Sequence, residues 1–386
     1  MQRKLLILQK TLRKLMTTPP NIDKHKTRDH RLDIIKALSI LLVLFWHFQP
    51  IDITAPELRI FHIRAIIREG VKVFYSQVTL LGVPSFILVS LYLYFQNLKI
   101  KGYAYAFSRL QHLLKLFTFW VFIQIVIYFF TTYPLSTPIS QWIPLLVKDL
   151  TVHKIFIEGG PRLDFMGGSS VFYYFTSLFL LTIAATAYSL LDKFTFIETA
   201  SRILIVGGTL IYFEYCSLKN ISVELLNPIT FLPYVPLAYY FARKQVSFSR
   251  SMALLFILGY IGFSIQDYYL RKQGYITNVY LRASIVSGAL TLFNTIKSLP
   301  FLKESKAAAF LSNHSLGIYA THKYFQFLSI DLLTPLFAVY EIGKKTEFGN
   351  IHVNLQTLSI ALLGISLTFL CVLLLGKTPV RGFFRG

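Results

Sequence analysis

Long apolar runs alternate with short, mostly basic connections along this chain, and the length of the runs decides what they build. A helix rising 1.5 Å per residue needs about 20 apolar residues to cross a hydrocarbon core of about 30 Å. Ten runs approach that length: Ile34 to Ile53, Val78 to Gln96, Leu113 to Tyr133, Ser170 to Leu191, Ile203 to Leu218, Ile229 to Phe241, Met252 to Gln266, Asn278 to Ile296, Leu316 to Tyr340 and Leu355 to Gly376. The pattern predicts an all-α integral membrane protein with about ten transmembrane helices in a single bundle. The fifth to seventh runs are short. Pro228, Pro233 and Pro236 around the sixth would each remove or disturb a helical hydrogen bond, so this helix is expected inside the bundle, where neighbours satisfy the freed carbonyls.

The organisation read from this pattern is a basic N-terminal tail at 1–33, a membrane domain at 34–376 and a short basic tail at 377–386. The first apolar run lacks a small-residue cleavage site, so no cleavable signal peptide is expected. With alternate loops assigned to opposite faces, the inner set carries roughly twice the Lys plus Arg of the outer set, which predicts both termini in the cytoplasm. Arg59, Arg64, Arg68 and Lys72 run against that bias in the first outer loop and form a positive stripe there. The longest connection, Pro134 to Ser169, contains Trp142, His153, Arg162 and Asp164, and its stretch Ile139 to Leu150 is expected to lie as a short helix at the interface.

Composition agrees with lipid as the main solvent. Of 386 residues, 54% are hydrophobic and 15% charged, against about 25% charged in soluble domains. The net charge of +21 does not point to nucleic acid, because the basic residues flank apolar runs instead of gathering beside stacking aromatics. Cys216 and Cys371 each sit in an apolar run, so neither a disulfide framework nor a thiolate metal cluster is available. His47, His112, His153 and His322 fall on different elements without paired carboxylates, so no metal site is expected. No phosphate-cradling glycine loop, nucleophile elbow or dinucleotide fingerprint occurs.

Ionisable residues at bilayer depth are costly and mark function by default. The first run places Asp33, Lys36 and His47 on one helix, and Lys36 and His47 project from the same face about 16 Å apart along the axis. That separation suits a long donor such as an acyl-coenzyme A, with Lys36 attracting its phosphates and His47 deprotonating an attacking hydroxyl. The same residues admit a plainer role, with Lys36 snorkelling or paired to Asp33 and His47 bridging helices. Asn313 to Lys323 is the second constellation, with Tyr319 and His322 at i, i+3 and Gly317 allowing a close approach. A structural cross-helix hydrogen bond serves His322 equally well. Arg109, followed by His112 and Lys115, could hold an anionic group or merely flank the third run. Glu214, Asp267 and Arg282 could form buried pairs or line a water-filled path, and sequence does not pair them.

Taken together, these residues resemble the acyltransferase 3 family of polytopic membrane enzymes that acylate cell-surface and exported carbohydrates. The similarity rests on Lys36 to His47 after Arg31-Leu32-Asp33, and on Ser315-Leu316-Gly317-Ile318-Tyr319-Ala320-Thr321-His322. It extends to Gly82-Val83-Pro84-Ser85-Phe86-Ile87-Leu88-Val89-Ser90-Leu91, where Leu91 replaces the usual glycine, and to Arg109, where His112 replaces a second arginine. An aromatic patch survives as Phe172-Tyr173-Tyr174, without the family's tryptophan, and the extra extracytoplasmic domain of some members is not seen.

The resemblance implies transfer of an acyl group, most often acetyl, from cytoplasmic acyl-CoA to a hydroxyl of a polysaccharide or its lipid-linked precursor. His47 would be the general base, Tyr319 and His322 would orient the acceptor or stabilise the oxyanion, and Lys36 and Arg109 would hold the donor's phosphates. Acyl-CoA is then a substrate rather than a bound cofactor. The partners are the lipid bilayer, the glycan acceptor and, in some settings, glycan-assembly proteins; a bacterial cytoplasmic membrane is the expected location. A saccharide-precursor transporter would also need intramembrane charges, but no second-half counterpart of the Lys36 to His47 pattern is present. A non-catalytic subunit of a glycan-assembly complex is the third class.

Overall fold

The computed structural model describes residues 29–51, 69–132, 171–223, 228–243, 249–275, 278–300, 302–340, 346–348, 351–353 and 355–384, with isolated positions 138, 140, 141, 144 and 151. Arg59, Arg64 and Arg68 lie outside these residues, as do Trp142, His153, Arg162 and Asp164, and the expected interface helix is represented only by isolated positions. Among the described residues the fold is all-α apart from one small antiparallel ribbon, β1 (Thr346–Phe348) against β2 (Ile351–Val353), with Glu347 opposite His352.

The α-helices are α1 (His30–Phe48), α2 (Gly82–Lys101), α3 (Tyr103–Thr132), α4 (Tyr173–Ser189), α5 (Thr195–Leu218), α6 (Tyr234–Arg243), α7 (Arg250–Lys272), α8 (Ala283–Ser298), α9 (Lys306–Tyr340) and α10 (Leu355–Leu375). Each answers to one apolar run, although their ends differ. Five helical stretches, at 69–101, 103–131, 195–218, 250–272 and 355–375, are long and apolar enough to cross a membrane. Their outward faces are apolar: Ile203, Leu204 and Ile211 of α5 are 65%, 72% and 72% exposed, and Leu255 of α7 is 67% exposed. Apolar surface on this scale is what lipid, not water, covers.

Helices α1 and α2 form the centre. Helix α1 packs on α2, α8, α9 and α10, while α2 also meets α3, α4, α6 and α8. Their crossing is close at Gly82, where an added Cβ would stand 2.7 Å from the Ser39 carbonyl oxygen and 2.9 Å from Val43 Cγ2. Only a glycine lets the backbones approach this far. Helix α1 is tied down at its start as well. The Asp29 side chain caps it by accepting from Arg31 N at 3.1 Å, and it also pairs with Lys297 near the end of α8. Burial opposes ionisation of Asp29, but the hydrogen bond and charge of Lys297, with Arg31, hold its carboxyl below the usual range.

The differences from the apolar pattern have local causes. Helix α9 begins ten residues before its apolar run, because Ser305 Oγ accepts from Ala308 N at 3.3 Å and Ala307, Ala308 and Ala309 are strong helix formers. Helix α3 begins at Tyr103, so Arg109 and His112 stand within a helix rather than before one. The prolines near the sixth run divide it into a short turn and a helix. Pro228 opens a 3₁₀ turn (Pro228–Phe231), Pro233 precedes α6, and Pro236 lies in its first turn, where the missing N–H has no acceptor to lose. Helix α6 is buried, with Tyr234, Val235, Ala238 and Tyr239 all at or below 1% exposure. At ten residues it is about 15 Å long, too short to cross a membrane alone.

Before α2 the chain is irregular, with a π turn at Phe74–Val78 and a 3₁₀ turn at Thr79–Leu81. Irregular backbone frees carbonyls, and buried Arg282 takes one of them by donating from Nη2 to Ser76 O at 2.9 Å. Its Nη1 pairs with Asp267 Oδ2 at 3.3 Å, Gln77 Nε2 donates to the same oxygen at 3.2 Å, and the Ser284 hydroxyl reaches both Asp267 and Gln77. This network resolves the pairing that sequence left open: Asp267 belongs to Arg282, whereas Glu214 accepts from Gln266 Nε2 at 2.7 Å. Asp267→Asn should cost about 3–5 kcal/mol by leaving a buried guanidinium uncompensated, and Asp267→Leu combined with Arg282→Met should recover most of it. Thermal melting in detergent checks this, and equal melting of the single and wild-type proteins refutes the role given to the pair.

Candidate functional site

Helix α9 presents Ser312, Ser315, Tyr319, His322 and Gln326 at spacings of three and four residues, which puts all five along one stripe. The stripe meets α1 at both ends. Ser312 Oγ donates to Asp33 Oδ1 at 2.7 Å, and Gln326 Nε2 donates to the His47 carbonyl. Lys323 supports the second contact by donating to Gln326 Oε1 at 3.2 Å. Between these anchors the imidazoles of His47 and His322 come together, with ring centroids 4.7 Å apart and planes tilted by 45°.

The backbone fixes the tautomer of His322. Its Nδ1 lies 2.6 Å from the Tyr319 carbonyl oxygen, which can only accept, so Nδ1 carries the proton and Nε2 carries a lone pair. His322 is fully buried, and Nε2 has no hydrogen-bond partner among the described residues. A buried, unsatisfied acceptor costs stability and is retained where it has work to do. His47 is half-buried at the end of α1.

Lys36 and Arg109 stand together elsewhere. A cleft is lined by Lys36 of α1, Phe86 and Ser90 of α2, Arg109 and His112 of α3, Tyr174 of α4 and Tyr319 of α9, with leucines from α3, α4 and α9 between them. Tyr319 joins the two halves of the site. It lines the cleft, its ring is 5.7 Å from that of His322, and its hydroxyl donates to Val171 O at 2.9 Å. Of the residues expected from sequence, His47, His322 and Tyr319 thus form one cluster, and Lys36 and Arg109 form the cationic side of the adjoining cleft.

Several residues that the sequence analysis named without assigning a definite role also take part. His112 lines the cleft where the family pattern has its second arginine, and Tyr174 of the weak aromatic patch lines it too. Gln326 follows His322 by one helical turn, a signal that was present in the spacing, and Ser90 belongs to the quoted Gly82 to Leu91 segment. The role of Phe384 had no such signal. A 3₁₀ turn at Pro379–Phe383 returns the chain to the bundle, where Phe384 is 3% exposed and its carbonyl accepts from Gly317 N at 3.2 Å. An added Cβ at Gly317 would stand 2.9 Å from the Phe384 ring and 3.0 Å from its carbonyl oxygen. The close approach expected at Gly317 is therefore made by the chain itself. Phe383 stacks on Phe119 at 4.1 Å, and Phe384 packs edge-on against Trp120 at 5.1 Å. This turn thereby bridges α3 and α9, which carry two walls of the cleft.

Phe384→Ala should remove a buried aromatic contact worth about 3 kcal/mol and lower the melting temperature in detergent. Melting at the wild-type temperature would show that the turn merely rests on the bundle.

The acyltransferase 3 family model, an acyltransferase domain, matches residues 29–377. Neither the comparison with curated proteins nor that with solved structures gives a match. The family match spans the paired histidines, the cationic cleft and nearly the whole chain, so this protein belongs to the acyltransferase 3 family and is a multi-pass membrane acyltransferase.

Proposed function

We propose that this acyltransferase moves an acyl group, most simply acetyl, from acyl-CoA on the cytoplasmic side to a hydroxyl of a cell-surface or exported polysaccharide, or of its lipid-linked precursor, in a bacterial cytoplasmic membrane. The observation that carries the reading is the meeting of two imidazoles, one half-buried and one fully buried with an unsatisfied Nε2, beside a cleft that Lys36 and Arg109 line. Lys36 and Arg109 offer the charge that a donor's phosphates require, and the apolar remainder of the cleft suits its less polar thioester arm.

In this scheme His47 takes the proton of the acceptor hydroxyl, whose oxygen attacks the thioester carbonyl carbon. The lone pair on His322 Nε2 receives the remaining N–H of His47 once substrates close the site, orienting the base as the third group of a triad does. Collapse of the tetrahedral intermediate breaks the carbon–sulfur bond, and the proton held by His47 passes to the leaving thiolate. The products are an ester and free coenzyme A. Tyr319 lies where it can steady the acceptor, although its hydroxyl is already committed to Val171 O.

Membranes carrying the wild type should transfer label from radiolabelled acetyl-CoA to surface glycan. His47→Ala and His322→Ala at matched protein levels should each lose about 10²-fold or more of that rate. Lys36→Ala and Arg109→Ala should act mainly on the donor's KM. Wild-type rates in both histidine variants would sink the proposed base. If no donor, including succinyl and longer chains, transfers label while glycan still reaches the surface only when the protein is present, the protein moves a saccharide precursor instead.

A further inference from the structure

The sequence leaves one basic feature without a use. Lys72 is the last of four cations that run against the charge bias of the other loops, so topology does not account for it. In the structure Lys72 lines a second cleft, together with Glu69 and Ser76 of the stretch before α2 and Tyr268, Arg271 and Lys272 of the last turn of α7. The lining residues include three cations and one carboxylate. Lys72 Nζ pairs with Glu69 Oε1 at 2.8 Å, but both side chains are exposed, and such a pair is weak enough in water to yield to a multivalent anion. Lys272 Nζ stands 5.0 Å from the centre of the Tyr268 ring.

An apolar track leads to this cleft. Leu254, Leu258, Ile261 and Ile265 recur along α7 every three or four residues, all are exposed, and the stripe ends in Tyr269 and Lys272. Five helical turns separate Leu254 from Lys272, so both project from one line of the helix about 27 Å apart, close to the thickness of a hydrocarbon core. A long apolar tail lying along the stripe brings its anionic headgroup to the cations, with Tyr268 and Tyr269 at the level that interfacial aromatics occupy.

The cleft also stands at the end of the bundle where α1 stops. Phe74 and Tyr75 lie between Lys72 and Ser76 of its wall. The Phe74 ring is 5.9 Å from that of Phe45 in the last turn of α1, and the Tyr75 hydroxyl accepts from Ile51 N at 3.0 Å just beyond it. Gln77 and Arg282 fasten the same stretch to Asp267 of α7. An oligosaccharide bonded to a phosphate in the cleft therefore leaves it beside the end of α1, the helix that carries His47.

We propose that this cleft binds the phosphate of a lipid-linked saccharide, whose tail lies along α7 and whose sugar is the acceptor at His47. The proposal rests on the acyl-to-glycan reading given above and selects the lipid-linked precursor over a finished polysaccharide.

The test is retention of radiolabelled polyprenyl pyrophosphate by the full-length protein in nanodiscs of phosphatidylcholine. The wild type should retain it. Lys72→Gln, Arg271→Gln and Lys272→Gln should each weaken retention about fivefold, and Arg271→Gln with Lys272→Gln about twentyfold, as for cations lost from a lipid phosphate. Lys219→Gln, which removes an exposed cation outside the cleft, should leave retention unchanged. Unchanged retention in the double variant overturns the proposal, and so does equal weakening by Lys219→Gln. Displacement of the probe at equal concentration by phosphatidylglycerol or by inorganic pyrophosphate would make the cleft a site for any anionic lipid or for free phosphate, which also overturns it. Transfer of acetyl label to finished polysaccharide at the wild-type rate by the double variant overturns the lipid-linked acceptor and leaves the acyl-donor reading intact. A wild type that retains the probe but transfers label from no donor overturns the acyl-to-glycan reading and, with it, the acceptor role of the bound lipid.

Discussion

The bundle interior offers no water to a polar group, and the rest of the structure follows from that constraint. Threonines inside the helices turn their hydroxyls onto the carbonyl four residues back, as Thr182 does to Leu178 O, Thr321 to Gly317 O and Thr368 to Gly364 O. Arg282 is satisfied by a carboxylate and two carbonyls, and in doing so it holds together α7, α8 and the irregular turns before α2. Gln77 and Ser284 complete the same network. Several buried polar atoms still lack a partner among the described residues, and His322 Nε2 is the one that faces a second imidazole: the tautomer imposed by its own helix leaves a lone pair in a dry place beside His47.

Four consecutive helices and a fifth remote in sequence build the site and divide its groups among them. Helix α1 gives a cation near its start and an imidazole near its end, so it spans the whole length of the site. Helix α9 gives the stripe that locks onto α1 through Asp33 and the His47 carbonyl. Helix α3 adds the second cationic group, and α2 and α4 add the rings. The glycine at position 82 matters here, because the close crossing of α1 and α2 decides how near Lys36 stands to the wall made by Phe86 and Ser90.

Much of this was legible in the chain. Apolar run length announced the ten helices, and the eleven-residue spacing of Lys36 and His47 announced that one helix would face both parts of a long ligand. The pairing of His47 with His322 was not legible, since no spacing within either run says which helices touch. Helix ends escaped for a related reason: residues 306–315 and 103–112 are helical without being continuously apolar, and hydropathy registers lipid rather than hydrogen bonding. The sixth run was read rightly as buried in the bundle, but its helix starts only at Tyr234, because Pro233 falls before it and Pro236 in its first turn, a detail that the presence of prolines near a run does not give.

The turn that ends in Phe384 gives the protein a temporal property. A chain is made from its N-terminus, so α1, α3 and α9, with every charged and imidazole group of the site, enter the bundle before residues 379–384 exist. The surface of α9 at Gly317 remains uncovered until those last residues fold back across Phe119 and Trp120. A nascent chain halted after α10 therefore holds all the chemistry and lacks one buttress of its wall. Assembly of the site is coupled in this way to synthesis beyond α10, and the turn acts as the keystone set after the arch is built.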